Sequence, residues 1–273
     1  MSIAVLMSTY RGESPEHLRQ SLDSLVAQTL QPDEVVVVKD GPLTCELEGV
    51  LSHYTLKLPL VIVPLAKNGG LGTALAEGLR HCGSEFVARM DTDDVCPPTR
   101  LEMQARFMKQ HPDCSVLSAS AAEFSGDFIQ PYAIRTGPDI VKRGPYARFR
   151  NPIGHHSAVF FRRVDVLASG GYQTCPFFED YDLWARMMML GYRLYNMPEV
   201  LVFVRAGSEM LRRRRGMKYI RYEVNFLRKM HKIGFLSTPY FLANLLVRIP
   251  CRLLPEILLR RFYRAFLREP VLP

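Results

Sequence analysis

Four short apolar runs, each ending in a polar loop, constrain this chain more than any other feature. Ile3-Ala4-Val5-Leu6-Met7, Val35-Val36-Val37-Val38, Leu60-Val61-Ile62-Val63 and Phe86-Val87-Ala88-Arg89-Met90 lack the apolar-polar alternation of a half-buried strand. Continuous runs of this length suit strands buried on both faces, as in a parallel sheet covered by helices. Helical patterns lie between them. Ser14-Pro15-Glu16 offers a cap and a first-turn proline, after which Leu18, Leu22, Leu25, Val26 and Leu30 recur until Gln31-Pro32. Leu71, Ala74, Leu75, Gly78 and Leu79 give a second helix, and Leu101, Ala105, Phe107 and Met108 a third, after Pro97-Pro98-Thr99-Arg100. Residues 115–120 read as a fifth strand. The sequence predicts an α/β fold, in which the loops after parallel strands converge on a ligand crevice.

Polar residues collect at those strand ends: Thr9, Tyr10 and Arg11 after the first, Asp40 after the second, and Asp91-Thr92-Asp93-Asp94 after the fourth. Three carboxylates within four residues repel one another unless a cation or solvent compensates. A hard divalent ion such as Mg²⁺ or Mn²⁺ takes oxygen ligands and keeps substrate phosphates in its shell. An isolated acidic quartet of this kind is more often a solvated turn; its position at a buried strand's exit, with Asp40 at a neighbouring one, favours an ion site.

A second acidic group, Glu179-Asp180-Tyr181-Asp182, opens a helix beside Phe177, Phe178 and Trp184. Carboxylates in a first helical turn suit the helix dipole, which is one reading. The other is a general base, because partial desolvation beside aromatic rings raises a carboxyl pKa. His155-His156 reads either as a substrate contact or as a structural pair. Arg212-Arg213-Arg214-Arg215 reads as a solvated run or as a loop whose guanidinium forks meet a diphosphate. Asn68-Gly69-Gly70-Leu71-Gly72 does not fit a dinucleotide loop, since the third glycine of that pattern would fall at Leu75 and the loop follows the third strand.

Composition bounds the rest. With 48% hydrophobic residues, 18 Gly and 19 Pro among 273, the chain is neither disordered nor collagenous. The net charge of +8 is unevenly spread: residues 205–273 hold 16 Lys/Arg against 4 Asp/Glu, and residues 1–204 hold 19 against 23. We therefore expect a catalytic domain over 1–204 and a basic loop with an amphipathic helical extension over 205–273. Such a segment suits an anionic membrane surface, a nucleic acid, or packing on the body with its arginines in water. Its longest uncharged apolar stretch, residues 233–247, is interrupted by Pro239 and shorter than the roughly 20 residues of a spanning helix. Six scattered cysteines form no metal or redox spacing, and the N-terminus lacks the basic and small-residue marks of a signal peptide, so a cytoplasmic protein is expected.

Taken together, Val5-Leu6-Met7-Ser8-Thr9-Tyr10-Arg11, Val36-Val37-Val38-Lys39-Asp40-Gly41, Asn68-x-Gly70-Leu71-Gly72, Arg89-Met90-Asp91-Thr92-Asp93-Asp94 and Phe178-Glu179-Asp180-Tyr181-Asp182-Leu183-Trp184 resemble, in order, the motifs of family 2 glycosyltransferases. The likeness is strongest to bacterial enzymes of O-antigen and exopolysaccharide assembly, amylovoran-type transferases among them, and covers residues 1–220. It implies a GT-A fold, the Rossmann-like mixed sheet flanked by helices of nucleotide-diphospho-sugar transferases, and an inverting, Mn²⁺- or Mg²⁺-dependent reaction. Thr9, Tyr10, Arg11 and Asp40 fall at nucleobase and ribose positions, Asp91 and Asp93 at the metal element, and Asp94 at a supporting position near the donor. Asp180 falls at the catalytic base, with Glu179 as its rival. Arg205, Arg214 and Arg215 fall at the basic loop; Arg212 and Arg213 depart from the pattern. His155, His156 and Trp184 are weaker candidates for acceptor contacts. The implied donor is a UDP-sugar, UDP-galactose or UDP-glucose, and the implied acceptor a sugar such as N-acetylglucosamine on undecaprenyl diphosphate, at the cytoplasmic face of the inner membrane and without nucleic acid. The competing classes are a nucleotidyltransferase, which would release pyrophosphate, and a nucleic-acid-binding protein using the basic tail.

Overall fold

A computed structural model describes residues 1–126, 128–205 and 215–253, with the backbone of 269–270. The four apolar runs form β1 (Ile3–Thr9), β2 (Glu34–Lys39), β3 (Leu60–Pro64) and β4 (Phe86–Arg89), with β1 parallel to β2 and β4, and β2 parallel to β3. Alternate residues of one strand feed opposite faces of the sheet, which explains why the runs are continuous. Ile3, Val5 and Met7 join Leu18, Leu22 and Leu25 of α1 (Pro15–Val26), Leu47 and Leu51 of α2 (Cys45–Tyr54), and Leu101 of α4 (Arg100–Gln110) in one cluster. Ala4 and Leu6 join Leu75 and Leu79 of α3 (Leu71–His81) and Leu183, Trp184 and Met187 of a later helix in the other.

α3 lies close because residue 78 has no side chain: a Cβ there would stand 2.4 Å from Leu6 Cδ1 and 2.6 Å from Val38 Cγ2. Helix α2 was not expected from the sequence, although Thr44 caps it and Leu47, Val50, Leu51 and Tyr54 recur at helical spacing. α1 stops at Val26, short of Gln31-Pro32, where the side chain of Gln28 binds the carbonyls of Ser24 and Pro97 and pins the following loop.

The second half makes the sheet mixed. β5 (Cys114–Phe124) runs past the expected strand at 115–120. β6 (Ala133–Arg135) pairs antiparallel with β5, as does β8 (Phe160–Arg162), which also pairs antiparallel with β4. β7 (Ile140–Val141) and the short helices α5 (Pro145–Phe149) and α6 (Arg163–Ala168) fill the connections. After α7 (Glu179–Met189), the long β9 (Arg193–Arg205) pairs parallel with β5 and returns the chain to the strand ends.

α8 (Gly216–Lys232) packs onto α7 through Phe178, Tyr181, Ala185, Tyr219, Phe226, Leu227 and Met230, and α9 (Thr238–Cys251) packs on α8 and α5. The described part of the basic region is therefore helical and folded against the body, and several of its cations point inward. Arg252 donates to Glu223 through Nε and Nη2 at 2.7 and 3.0 Å, Arg248 approaches the same carboxylate at 2.5 Å, and Glu223 is fully buried. No helix among the described residues is long and apolar enough to cross a membrane. Glu223→Ala strands two guanidinium groups in the interior, so it should cost about 3–5 kcal/mol in a denaturant titration, with exchange protection lost first in α9.

Candidate active site

The site lies where β1, β2 and β4 end. Asp40 N donates to Thr9 O at 2.8 Å, and the Asp40 carboxylate accepts from Gly69 N at 2.6 Å and Gly70 N at 3.0 Å. Asp40 thus holds the loop that leads into α3 against the end of β2. Gly41, at φ +87°, is required there: a Cβ would sit 2.8 Å from Asn68 N. Thr9 is buried with its Oγ1 unpaired, while Tyr10 and Arg11 are exposed at the mouth.

At the end of β4 a buried cation organises the acids. Arg89 is fully buried and grips Asp91 with both ends of its fork, Nη1 to Oδ2 at 2.9 Å and Nη2 to Oδ1 at 2.5 Å. Burial alone would raise the pKa of Asp91, but Arg89 and then His156 outweigh it and hold the acid at about 2. Burial, Asp91 and Glu13 instead push Asp93 up to about 7, and burial with Asp93 and Asp91 raises Asp94 well above the ordinary range. Asp94 accepts from Ser157 Oγ at 2.6 Å and from Arg205 N at 3.2 Å. Oxygens of Asp91, Asp93 and Asp94 all lie within 4.8 Å of one another. That donor set fits a hard divalent cation, whose charge would offset the burial and mutual repulsion that raise Asp93 and Asp94.

β9 delivers Arg205 to this cluster. Its Nε donates to Asp93 O at 3.3 Å, its Nη2 to Gln20 Oε1 at 2.8 Å, and the guanidinium lies 4.7 Å from the Phe124 ring centre. His156 stands between the two acidic groups, with Nε2 3.2 Å from Asp91 and Nδ1 3.9 Å from Asp180. His155 is turned inward, its Nδ1 2.8 Å from Ser157 Oγ.

The three acids of the second group separate in role. Asp182 is fully buried between Arg186 at 3.0 Å and Lys229 of α8 at 2.6 Å, which makes it a structural tie. Glu179 and Asp180 are also buried, yet Glu179 Oε2 and Asp180 Oδ1 have no partner. Burial and then Asp180 push Glu179 up to about 7. The hydroxyl of Tyr172 is buried without a partner as well, its pKa raised by burial and by Asp180. Two positions before this group, Phe177 has φ +68°, a strain of about 1–3 kcal/mol.

Most of the sequence candidates thus converge. Trp184 is corrected: it is fully buried in the core with Val87 and Phe161, leaving no indole face for an acceptor. Arg214, with Arg212 and Arg213, lies outside the described residues, and Arg215 caps α8. The sequence reading missed Arg89, Glu13, Gln20, Ser157 and Tyr172 as site residues. Arg89 alone carried a signal, a charge inside a buried strand two positions before an aspartate.

The raised acids set a pH dependence. Glu179 ordinarily titrates at 4.5 and here at about 7, so between these values the folded state binds more protons than the unfolded state, and stability falls as pH rises. Asp93 acts in the same direction, whereas Asp91 loses its stabilising ionisation only as pH falls towards 2. The metal-free protein should melt at a lower temperature at pH 8 than at pH 5, and Glu179→Gln should make that drop shallower in a thermal-shift series.

Comparison with known proteins agrees with this geometry. Residues 4–168 match the family model described as glycosyl transferase family 2. The amylovoran biosynthesis glycosyltransferase AmsE of Erwinia amylovora is 43% identical over 258 residues, which cover 90% of this chain and 93% of that one. The UDP-Gal:alpha-D-GlcNAc-diphosphoundecaprenol beta-1,3-galactosyltransferase of Escherichia coli is 33% identical over 97% of this chain and 96% of that one. Among solved structures, S. aureus TarS 1–349 in complex with UDP-GlcNAc superimposes with a TM-score of 0.66 at 21% identity, over 84% of this chain and 66% of that one. The mannosyltransferase PcManGT of Pyrobaculum calidifontis gives 0.64 at 20% identity, over 96% and 79%. The sheet, the acid-lined strand ends and the near full-length relatives lead to one conclusion: the chain belongs to glycosyltransferase family 2, as a glycosyltransferase of bacterial exopolysaccharide and O-antigen synthesis with a GT-A fold.

Proposed function

We propose that this glycosyltransferase moves a hexose, galactose or glucose, with inversion from a UDP-sugar to a sugar carried on a lipid diphosphate, N-acetylglucosamine on undecaprenyl diphosphate being the favoured acceptor. The observation that carries the mechanism is the unpartnered oxygen of buried Asp180, across His156 from Asp91. The donor and acceptor are supported by the E. coli relative, whose name states that transfer.

In this reading Thr9, Tyr10, Arg11 and the loop held by Asp40 receive the uridine, and Asp91 and Asp93 hold a divalent ion, Mn²⁺ or Mg²⁺, with Asp94 in support. Bound there, the ion supplies positive charge to the donor diphosphate. Arg205, with Arg214 and Arg215 further along the sequence, adds guanidinium charge as UDP departs. Asp180 takes the proton of the acceptor hydroxyl as its oxygen attacks the anomeric carbon from the face opposite UDP. No covalent intermediate on the protein is needed. Glu179, pushed up to about 7 by burial and then by Asp180, is the rival base.

The enzyme works against the inner leaflet in this proposal. α9 leaves Leu242, Leu246 and Val247 exposed, Leu253 follows it, and the chain beyond adds Arg260, Arg261, Arg264 and Arg268. Apolar side chains followed in the sequence by cations suit an anionic lipid surface.

The decisive experiment incubates the protein with a panel of UDP-sugars and a GlcNAc-diphosphate-lipid analogue, with Mn²⁺ and with chelator. Sugar transfer with release of UDP is expected, and chelator should abolish it; release of pyrophosphate would point to a nucleotidyltransferase. Asp180→Asn should lower turnover by about 10²–10⁴-fold while UDP binding persists, and undiminished turnover would eliminate Asp180 as the base.

A further inference from the structure

Phe177 differs from the rest of the chain on two independent counts. Among the described residues it is the only non-glycine with φ in the left-handed region, a conformation that a bulky side chain adopts only when the fold imposes it. Its ring is also 47% exposed, so burial of that ring is not what holds the conformation. The chain turns there so that adjacent rings diverge. Phe178 goes inward and stacks on Phe226, with centroids 4.5 Å apart and planes 9° apart, while Phe177 stays at the surface against Tyr219 and Tyr222 of α8, at 5.0 and 5.8 Å. Glu179 and Asp180 follow at once.

A pyranose has an apolar face of C–H bonds and an edge of hydroxyls, and an aromatic ring beside unpaired polar atoms matches both. Close in the chain, Glu179 Oε2 and Asp180 Oδ1 are buried and unpartnered, and the Tyr172 hydroxyl, shifted by Asp180, is likewise without a partner. The geometry points to Phe177 as the floor of an acceptor subsite, on which the acceptor pyranose stacks with its nucleophilic hydroxyl turned to Asp180. This rests on the transferase reading above. An acceptor fits better than the donor because the Phe177 ring contacts lie on α8, whereas Asp91, Asp93 and Asp94 contact β4, the His156 turn and the end of β9. The strained backbone is retained because it presents the ring.

The test compares wild type with Phe177→Ala, Phe177→Gly and Phe177→Tyr. Saturation-transfer NMR follows binding of a short-chain GlcNAc-diphosphate-lipid analogue and, separately, of UDP. Steady-state kinetics follow the KM for each substrate. Wild type and Phe177→Tyr should bind the analogue alike. The Ala and Gly variants should bind it about tenfold more weakly, with acceptor KM raised about tenfold and UDP binding and donor KM unchanged. Glycine relieves the left-handed strain, so Phe177→Gly should melt no lower than Phe177→Ala, and its weak acceptor binding would then not be a folding defect. Retained analogue binding in the Ala and Gly variants, a parallel loss of UDP binding, or no analogue binding by wild type would overturn the proposal. Analogue binding that depends on Phe177 without sugar transfer from any UDP-sugar would uphold the platform and sink the UDP-sugar donor reading.

Discussion

The site depends on one buried ion pair. A guanidinium in the central strand of a packed sheet is tolerable only with a partner, and Asp91 supplies it through both oxygens. The pairing fixes Asp91 at the exit of β4 and keeps it ionised, and that charge, added to burial, disfavours ionisation of Asp93 and Asp94 beside it. Arg100, itself buried, donates to the carbonyls of Arg89 and Ser157 and so ties the strand to the turn that carries His155 and His156. One cation thus orients the acidic cluster, and a second braces the segment between that cluster and the α7 acids.

The α7 acids follow the opposite logic. Asp182 receives a cation from its own helix and one from α8, so its charge is met. Glu179 and Asp180 are buried with one oxygen each unmatched, which leaves those oxygens open to a substrate hydroxyl. The contrast between neighbours on one helical turn separates architecture from chemistry more clearly than proximity does.

Much of this was legible in the sequence because it followed from local pattern. Uninterrupted apolar runs gave β1 to β4, and the polar residues at their ends gave Asp40 and the Asp91 cluster. What escaped was long-range. α2 was hidden between two stronger signals. β6 to β9 are short or irregular, and their identity comes from pairing with β4, β5 and one another, which no local period records. Trp184 beside an acidic pair reads like a ligand contact, but helical rotation carries it to the sheet side and the core. The basic tail was read as surface charge, whereas Arg248 and Arg252 converge on Glu223, sited on a different helix.

The packing of α8 on α7 bears on where this enzyme can be cut. Lys229 completes the charge balance of Asp182, two positions from Asp180, and Phe226 covers the ring of Phe178. A truncation at residue 204, near the end of β9 and where the charge balance changes sign, would leave every strand from β1 to β8 intact and still uncover the helix that carries the acid pair. The smallest piece able to hold those acids in place is therefore larger than the segment 1–204 that charge composition sets apart, and any fragment or fusion built from this chain must carry α8 with it.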